Sequence, residues 1–383
     1  MPESISCSTL DIETIARYIA RLLRDYGIIV KMFKPNYSIT PNILTNMTEI
    51  AEIKAAIERS RVLPLNEAQL RRQAILRMAH TSTSIEGNKL AQFEVGKVIE
   101  GKTVRAPQKD ILEVENYYNA LKLLDQMSRS KHNLTVEEVL KMHRQVISGL
   151  VEPKKTGQFR PADIYVLHDL GDGREQLLYK GPHAKQVPKM INEILEWLKF
   201  SKSEGIHPII QAALFHVQFV TVHPFTDGNG RTVRLLTQLL LYRNGWDFRK
   251  IIVLEDYYNR NRLAYINNIH DVVGYKYELG KDLTMWLEYF TTGFLVEARK
   301  ALEQIQQIGF GQVNKKSEQI FLDHDEIQIM DFLTTTGRIT SDDVVDILKL
   351  AKRSAQLKLK KLVTNKLITS QSKGPSTYYI LSK

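Results

Sequence analysis

Apolar residues recur every three or four positions along most of the chain, which is the spacing of one face of an amphipathic α-helix. The positions between them are mostly polar or charged, so each segment would bury one face and expose the other. The pattern predicts helices over residues 10–24, 66–80, 110–127, 135–148, 186–200, 207–222, 231–244, 259–272 and 282–306. We therefore expect a mainly α-helical protein.

One short stretch, residues 164–182, departs from the helical pattern. Two apolar runs flank Gly171-Asp172-Gly173, and this arrangement predicts a β-hairpin. A single hairpin in a helical protein has little core of its own, so such a segment usually has a role in function.

The chain ends in a region with its own pattern. The segment from Gly309 to Lys316 is poor in apolar residues and contains two glycines, which indicates a linker. After it the pattern predicts two short strands around Gly374-Pro375, preceded by three helices at 325–335, 341–349 and 352–365. Helix, helix, basic helix and hairpin is the order of a winged helix-turn-helix domain.

Basic residues outnumber acidic ones, 53 against 43, and the excess is concentrated near the C-terminus. Residues 349–383 contain nine Lys or Arg and no Asp or Glu. This charge is suited to the phosphates of DNA, and Arg353, Gln356 and Lys360 fit a recognition helix. Winged-helix domains also bind proteins or form dimers, so the sequence leaves both DNA binding and a homodimer open.

Composition excludes several classes of protein. A single cysteine, Cys7, excludes an internal disulfide framework and a cysteine-based zinc site. The sequence has no apolar run near the ~18 residues that a membrane-spanning helix needs. The first residues lack the apolar segment of a signal peptide. We therefore expect a cytoplasmic protein that does not associate with a membrane.

The strongest chemical signal is the segment HPFTDGNGRTVR at residues 223–234. Two glycines around an asparagine precede a predicted helix, and such a helix start presents backbone N–H groups to phosphate. Arg231 and Arg234 lie three positions apart on that helix, so both side chains can hold the outer phosphates of a nucleotide. Asp227 is a single carboxylate of the kind that Mg²⁺ uses beside phosphates. His223 is suited to accept a proton near neutral pH, as a general base does.

This segment resembles the signature of the Fic (Fic/Doc) family of protein adenylyltransferases, H-P-F-x-[D/E]-G-N-G-R-x-x-R. Every fixed position matches: His223, Pro224, Phe225, Asp227, Gly228, Asn229, Gly230, Arg231 and Arg234. The resemblance implies an all-α core with a β-hairpin flap over the active site. It also implies transfer of AMP from ATP to a Ser, Thr or Tyr hydroxyl of a target protein, with self-modification as a side activity. The Doc branch, which phosphorylates its target, has a lysine at the position of Gly230, so Gly230 favours nucleotidyl transfer.

The same resemblance assigns roles to the residues of the segment. It makes His223 the general base and Asp227 the Mg²⁺ ligand. The positions that it assigns to the phosphates of the nucleotide are Gly228, Asn229, Gly230, Arg231 and Arg234. ATP is therefore the expected nucleotide substrate and Mg²⁺ the expected metal.

A second resemblance lies upstream, where HTSTSIEGN at residues 80–88 is similar to the inhibitory motif of the family, [S/T]-x-x-x-E-[G/N]. Ser82, Glu86 and Gly87 fill its fixed positions. A carboxylate facing Arg234 would neutralise the group that is meant for the γ-phosphate and would prevent productive seating of the nucleotide. We therefore expect autoinhibition by a segment of the same chain.

The two resemblances and the hydrophobic pattern together divide the chain into four parts. These are an N-terminal helical region at 1–100 with the inhibitory motif at 82–87, a Fic catalytic core at 101–308 with its flap hairpin at 164–182, a linker at 309–324, and a winged helix-turn-helix at 325–383. The fold class that we expect is therefore mainly α, with one hairpin in the core and a C-terminal winged helix-turn-helix.

Residues 255–269, EDYYNRNRLAYINNI, resemble the family segment that lies near the adenosine. The counterpart commonly ends in N-R-x-x-Y-Y, and this chain departs from it because Ile266 replaces the second tyrosine. The candidates for nucleotide binding in this segment are Tyr257, Arg262 and Tyr265. For the two tyrosines, packing in the core is an equally good interpretation.

The flap hairpin is expected to position the target protein. Leu178 and Tyr179 lie in its second apolar run, and we take them as the residues that contact the target. An extended segment of the target would dock by strand addition. The alternative is a hairpin with a purely structural role.

Other functions stay open at this point. One is a Fic enzyme that transfers another nucleotide, or that removes AMP with Glu86 helping to position water. Another is a DNA-binding regulator in which the Fic core is mainly a nucleotide sensor. Salt-dependent DNA binding without any transferase activity would favour the regulator.

Overall fold

The computed structural model describes residues 33–169, 175–312, 322–371 and 377–382. The helices are α1 (Pro41–Arg59), α2 (Pro64–Ile85), α3 (Gln92–Ile99), α4 (Gln108–Ser128), α5 (Val136–Ile147), α6 (Val187–Ser203), α7 (Pro208–Val222), α8 (Asn229–Arg243), α9 (Leu254–Arg260), α10 (Arg262–Val273), α11 (Thr284–Gln312), α12 (His324–Thr336), α13 (Ser341–Leu348) and α14 (Lys352–Thr364). The strands are β1 (Tyr165–Asp169), β2 (Glu175–Lys180), β3 (Ile339–Thr340), β4 (Ile368–Gln371) and β5 (Tyr378–Leu381). The mainly helical fold with a small hairpin is confirmed.

Four predicted features lie wholly or partly outside the described residues. They are the helix at 10–24, the Gly171-Asp172-Gly173 turn, most of the linker at 309–324 and the Gly374-Pro375 turn. The described part of the linker differs from the prediction, because α11 continues to Gln312. Glycine within a helix costs only about 1 kcal/mol relative to alanine, so Gly309 and Gly311 do not end it.

The helix predicted at 259–272 corresponds to α10, and its first two residues belong to a separate helix, α9. The main chain turns at Asn261, whose φ of −139° and ψ of 76° are not helical. The side chain of Asn261 accepts a hydrogen bond from the N–H of Ala264 at 2.9 Å and so caps α10. Asparagine is a favoured N-cap residue, which explains why the helix restarts here.

Helix α1 was not predicted from the hydrophobic pattern. Its buried face carries isoleucines at positions 43, 50, 53 and 57, but Asn46 interrupts them. Asn46 is buried all the same, since its amide donates to the hydroxyls of Thr291 and Thr292 on α11 at 3.3 and 3.1 Å. Because Asn46 is polar and its partner Thr291 lies 245 positions away in the chain, the local hydrophobic pattern does not show that Asn46 is buried.

The main hydrophobic cluster extends from Phe33 to Ile305 and has α7 and α8 at its centre. Nearly every side chain of α7 is buried, and a helix that is apolar all round belongs in the interior of a fold. The loop between α7 and α8 is therefore fixed at both ends by buried helices. The helices before residue 100 share this cluster with those after it. The predicted domain boundary at residue 100 therefore stays a prediction. Among the described residues, no helix combines the length and the hydropathy that crossing a bilayer would require.

A second hydrophobic cluster lies near the C-terminus. It joins α12, α13 and α14 to an antiparallel sheet with the strand order β3-β5-β4. The two-residue strand β3 was not predicted, and the assignment of this region as a winged helix-turn-helix stays a prediction. Ala68 of α2 is part of the same cluster, and Arg71 of α2 forms an ion pair with Asp331 of α12. The C-terminal region therefore rests on the helix that leads into the predicted inhibitory motif.

Candidate active site

His223 stands directly after α7, where the helix ends. Its main chain is left-handed, with φ 49° and ψ 62°, and its N–H donates to the carbonyl of Phe219 at 3.0 Å. A left-handed conformation costs a residue with a side chain roughly 1–2 kcal/mol. Burial lowers the pKa of His223 to about 4, and the nearby charge of Arg160 acts in the same direction. The imidazole is therefore neutral at neutral pH and has a nitrogen that can accept a proton.

The loop after His223 is closed by the side chain of Asn229. The Asn229 amide donates to the carbonyl of Phe225 at 2.8 Å, and its oxygen accepts from the N–H of Phe225 at 2.9 Å. The sequence predicted a phosphate-binding role for Asn229. In the structure its side chain is committed to the loop, so only its main-chain N–H is free to face a phosphate at the start of α8.

His143 of α5 supports the same loop and was not identified from the sequence. Its ring stacks on Phe225 with 3.6 Å between ring centroids and 1° between planes. The N–H of Gly157 donates to Nδ1 at 3.1 Å, so the proton is on Nε2, which donates to the carbonyl of Asp227 at 3.0 Å. Burial lowers the pKa of His143 to about 4, which keeps it in this neutral form. In the sequence it is only one polar residue on the apolar face of a helix.

The start of α8 presents the features that the sequence predicted for phosphate binding. Gly228 has a φ of 78°, a conformation that favours glycine, and it precedes the first helical residue. The carboxylate of Asp227 accepts from the N–H of Gly228 at 2.5 Å and remains half exposed. The half-exposed carboxylate of Asp227 therefore lies next to the N-terminus of α8, where anions are favoured.

Arg231 lies behind this helix start and is almost fully buried. Its guanidinium nitrogens lie 3.4 Å from Asp227 and 3.4 Å from Glu113 of α4. Within the described residues, the Nε atom of Arg231 is buried without a hydrogen-bonding partner. A buried donor without an acceptor is unfavourable, so the site fits an added anion.

Arg234, one turn further along α8, contacts the predicted inhibitory motif. Its Nε donates to Ser82 Oγ at 2.8 Å, and its Nη2 donates to the carbonyl of Ser82 and to Glu86 Oε1, both at 2.9 Å. Burial alone would lower the pKa of Arg234, but the Glu86 carboxylate raises it overall. Burial likewise opposes ionisation of Glu86, while the charges of Arg234 and Arg231 hold its pKa below the ordinary value. Both groups are therefore charged and paired.

The main chain explains why the carboxylate of Glu86 lies at this point. Glu86 is the C-cap residue that follows Ile85, the last residue of α2, and the chain then turns at Gly87, which has a φ of 98°. Arg262, a predicted nucleotide-binding residue, donates from Nε to the carbonyl of Ile85 at 2.5 Å. The structure thus engages Arg262 with the end of the inhibitory helix.

The two candidate tyrosines of the adenosine segment pack against other aromatic residues. Tyr265 is buried, and its hydroxyl pairs with Nε2 of His216 at 2.8 Å. Tyr257 is partly buried against Tyr289, with 5.2 Å between ring centroids, and the close approach of its ring needs the missing side chain of Gly293. Their environment corresponds to the core-packing interpretation, and nucleotide contact by either stays a prediction.

The flap hairpin consists of β1 and β2, which pair antiparallel with a shift in register between Val166 and Leu167. Tyr179, predicted to contact the target, instead points inward, and its hydroxyl donates to the carbonyl of Thr221 in α7 at 2.6 Å. Leu178 is partly buried and its neighbour Leu177 is exposed. Tyr179 therefore anchors the hairpin, and any contact that it makes with a target would come from its main chain.

Comparison with protein-family models gives a match to the Fic/DOC family over residues 133–241. The matched region begins before α5, includes the hairpin and α7, and ends inside α8. It therefore contains the segment 223–234, the histidine of α5 and the flap.

Curated relatives match a longer part of the chain. The protein adenylyltransferase fic-1 of Caenorhabditis elegans is 32% identical over 216 residues, which are 54% of this chain and 39% of that protein. The protein adenylyltransferase Fic of Nematostella vectensis is 32% identical over 188 residues, 48% of this chain and 41% of that protein. The chain thus spans about two fifths of the length of these relatives.

Solved structures share the fold. A Fic family protein from Desulfovibrio desulfuricans aligns with a TM-score of 0.59 and 24% identity, covering 91% of this chain and 98% of that one. Fic-1 from Caenorhabditis elegans aligns with a TM-score of 0.53 and 21% identity, covering 77% and 78% of the two chains. The chain therefore shares its fold with these Fic structures, and its signature segment lies within the region that matches the Fic/DOC family.

Proposed function

We propose that the chain is a protein adenylyltransferase that transfers AMP from ATP to a Ser, Thr or Tyr hydroxyl of a target protein and of itself. The observation that carries the proposal is the position of a neutral His223 beside the N-terminus of α8, where Arg231 and Arg234 also lie. The names of the curated relatives, which are protein adenylyltransferases, support the same activity.

The reaction that we propose is a single displacement at phosphorus. The hydroxyl oxygen of the target attacks the α-phosphorus of ATP and forms a phosphoester bond. The bond between the α-phosphorus and the oxygen that bridges to the β-phosphorus breaks, and pyrophosphate leaves. His223 accepts the proton of the attacking hydroxyl. The N–H groups at the start of α8 and the buried guanidinium of Arg231 stabilise the negative charge on the phosphates.

Asp227 is the residue that would hold Mg²⁺ in this proposal. Among the described residues, no three His, Cys, Asp or Glu side chains group together as a metal site. A cation here would therefore depend on Asp227 together with phosphate oxygens and water, which is a usual ligand set for Mg²⁺. The half-exposed carboxylate fits that role. When bound, the metal would neutralise part of the charge of the phosphates.

Autoinhibition by Glu86 is part of the proposal. The carboxylate of Glu86 forms an ion pair with Arg234, the group that would otherwise hold the γ-phosphate. It also lies against the main chain of Gly230. A negative charge at this place repels the nucleotide phosphates as well as blocking their partner. Glu86 must therefore move before ATP binds in a productive orientation.

The test uses three forms of the chain: wild type, Glu86→Gly, and Glu86→Gly combined with His223→Ala. Each is incubated with Mg²⁺ and ATP labelled on the α- or the γ-phosphate, and label on protein is measured. We expect strong α-label in Glu86→Gly, weak α-label in wild type and none in the double variant. Transfer of γ-label alone would show phosphorylation instead, and no transfer of either label with cell lysate present would refute the proposal.

Two other activities are separated by related measurements. Competition by other nucleotides would identify a different donor. Loss of AMP from a target that already carries it, dependent on Glu86, would show removal rather than transfer. Either outcome would leave the assignment of the site residues unchanged but would replace the proposed reaction.

DNA binding by the C-terminal region is a second candidate function, favoured by the exposed face of α14. Arg353, Gln356 and Lys360 are exposed on this face. Other lysines of α14 are engaged with acidic side chains of the same region: Lys358 with Asp323 at 2.8 Å and Lys361 with Glu326 at 2.7 Å. Salt-dependent binding of duplex DNA that survives His223→Ala but is lost in Arg353→Ala/Lys360→Ala would support it. Sedimentation of the same samples would show whether the chain forms a homodimer.

A further inference from the structure

Arg160 precedes the flap hairpin in the chain and is buried, with 4% of its surface exposed. None of the sequence motifs includes it. Its side chain and its N–H donate to five main-chain carbonyls: His223 at 2.8 Å, Ala162 at 2.8 Å, Pro182 at 2.5 Å, Val222 at 3.5 Å and Pro224 at 2.9 Å. Three of these acceptors are consecutive residues at the end of α7 and the start of the motif loop.

The end of α7 needs donors of this kind. The last carbonyls of a helix have no partner within the helix, and buried carbonyls without partners are unfavourable. A cation near a helix C-terminus is also favoured by the helix dipole. The planar guanidinium of Arg160 supplies several donors in fixed directions, which a lysine ammonium does not. Arg160 therefore stabilises a turn in which His223 is held left-handed.

The other side of the same guanidinium contacts the base of the flap, formed by Ile164, Gly181 and Pro182. The N–H of Gly181 donates to the carbonyl of Ile164 at 3.1 Å and closes the hairpin. A Cβ atom on Gly181 would lie 3.2 Å from Nη2 of Arg160 and 2.8 Å from Ile164. The glycine thus lets the arginine reach the carbonyl of Pro182.

We propose that Arg160 is a positioning residue that holds the main chain of His223 in its left-handed turn and ties the base of the flap to it. The proposal rests on the proposed function, in which His223 is the general base, and on the expectation that the flap hairpin positions the target. One side chain then fixes the distance between the proton acceptor and the strand on which the attacking hydroxyl arrives. A loss of this contact would leave nucleotide binding intact and disturb only the approach of the hydroxyl.

The test compares Arg160→Met and Arg160→Lys in the full-length Glu86→Gly chain. The control is Arg243→Met, because Arg243 is another arginine with a buried side chain, which donates to the carbonyl of Met127 and to Glu138, away from the site. We expect Arg160→Met to lower kcat by about 100-fold, the size of effect that small misplacement of reacting groups produces. The KM for ATP should stay within about threefold, as expected when only the transition state is affected.

Two readouts do not depend on activity. Hydrogen exchange should quicken in Arg160→Met at both residues 177–183 and residues 220–226, and the pKa of His223 measured by NMR should rise when the positive charge is removed. Arg160→Lys keeps the charge, so the pKa of His223 should stay low while exchange at the hairpin still quickens. Arg243→Met should lower Tm without changing either readout.

The proposal is overturned if Arg160→Met keeps its kcat, or if its losses match those of Arg243→Met. It is also overturned if exchange quickens at only one of the two segments. If the Glu86→Gly parent transfers no AMP at all, the proposed function fails by itself. Hydrogen exchange and the titration of His223 then still decide whether Arg160 joins the flap to the histidine.

Discussion

A Cβ atom placed on Gly230 would lie 2.3 Å from Oε1 of Glu86 and 3.0 Å from Nη1 of Arg234. The absence of a side chain at Gly230 therefore leaves the space in which the two charged groups meet. Gly230 is also the second residue of α8, the helix whose start would face the phosphates, so it has a place in the proposed inhibited state as well as in the proposed nucleotide-bound state.

We expect Gly230→Ala to weaken the contact between Glu86 and Arg234, because the added methyl group must displace the carboxylate. The measurement is a double-mutant cycle on the rate of α-label transfer. Glu86→Gly should stimulate the Gly230→Ala chain less than it stimulates wild type. Equal stimulation in both backgrounds would contradict the steric overlap between the added methyl group and the Glu86 carboxylate.

Ser82→Ala should release part of the inhibition. It removes the hydroxyl that accepts from Arg234 Nε at 2.8 Å but keeps the carbonyl contact of the same residue. A hydrogen bond to a charged group contributes about 1.5–3 kcal/mol, so we expect self-modification to rise by about tenfold. Ser84→Ala, on the same helix, is the control and should leave the rate unchanged. A rate for Ser82→Ala that equals that of wild type would show that the hydroxyl does not hold Arg234.

The contribution of His143 to stability should depend on pH. Its pKa of about 4 is depressed from 6.5 by burial, so the unfolded chain binds a proton that the folded chain does not bind between these values. Stability from His143 is therefore complete above pH 6.5 and is lost as the pH falls towards 4. The difference in free energy of unfolding between wild type and His143→Gln should shrink by up to about 1.4 kcal/mol per pH unit in this window. Urea unfolding at pH 7, 6 and 5 measures this difference in free energy of unfolding. A difference that does not change with pH would show that the pKa of His143 is not depressed in the folded chain.

Tyr179→Phe should loosen the flap without affecting the nucleotide. The substitution removes only the hydroxyl that donates to the carbonyl of Thr221 at 2.6 Å, a contribution of about 1 kcal/mol. Limited proteolysis at the hairpin should quicken, and the KM for ATP should not change. Tyr165→Phe in the same hairpin is the control, since Tyr165 is exposed. Equal proteolysis of the two variants would show that the Tyr179 hydroxyl does not anchor the hairpin.

The segment 223–234 could be predicted from the sequence because short, fixed spacings determine it, whereas the pairing of Glu86 with Arg234, 148 positions apart, was predicted only through the resemblance to the inhibitory motif. A loop, two glycines and a helix start within twelve residues leave little freedom. Arg160 and His143 could not be predicted in this way. Their partners are main-chain carbonyls 63 and 84 positions away, and a carbonyl has no sequence signature.

The side-chain role of Asn229 was missed, and the choice between core packing and nucleotide contact for Tyr257 and Tyr265 stayed open, for another reason. An asparagine between glycines has the same spacing whether its amide faces a ligand or closes its own loop. Likewise, aromatic residues at helical spacing pack against a core or a ligand with the same pattern. Only the three-dimensional neighbours, such as His216 beside Tyr265, distinguish the two.

Helix α2 belongs to two hydrophobic clusters at once, and this limits how Glu86 could withdraw in the proposed autoinhibition. Ala68 and Arg71, near its first turns, are held by the C-terminal region, whereas Ser82 and Glu86 lie at its far end. Movement of helix α2 as a whole would separate Arg71 from Asp331 and expose part of the C-terminal hydrophobic cluster. Unwinding of the last turn next to Gly87 leaves those contacts in place. If Glu86 inhibits as proposed, melting of this single helical turn would release it with the least loss of contact.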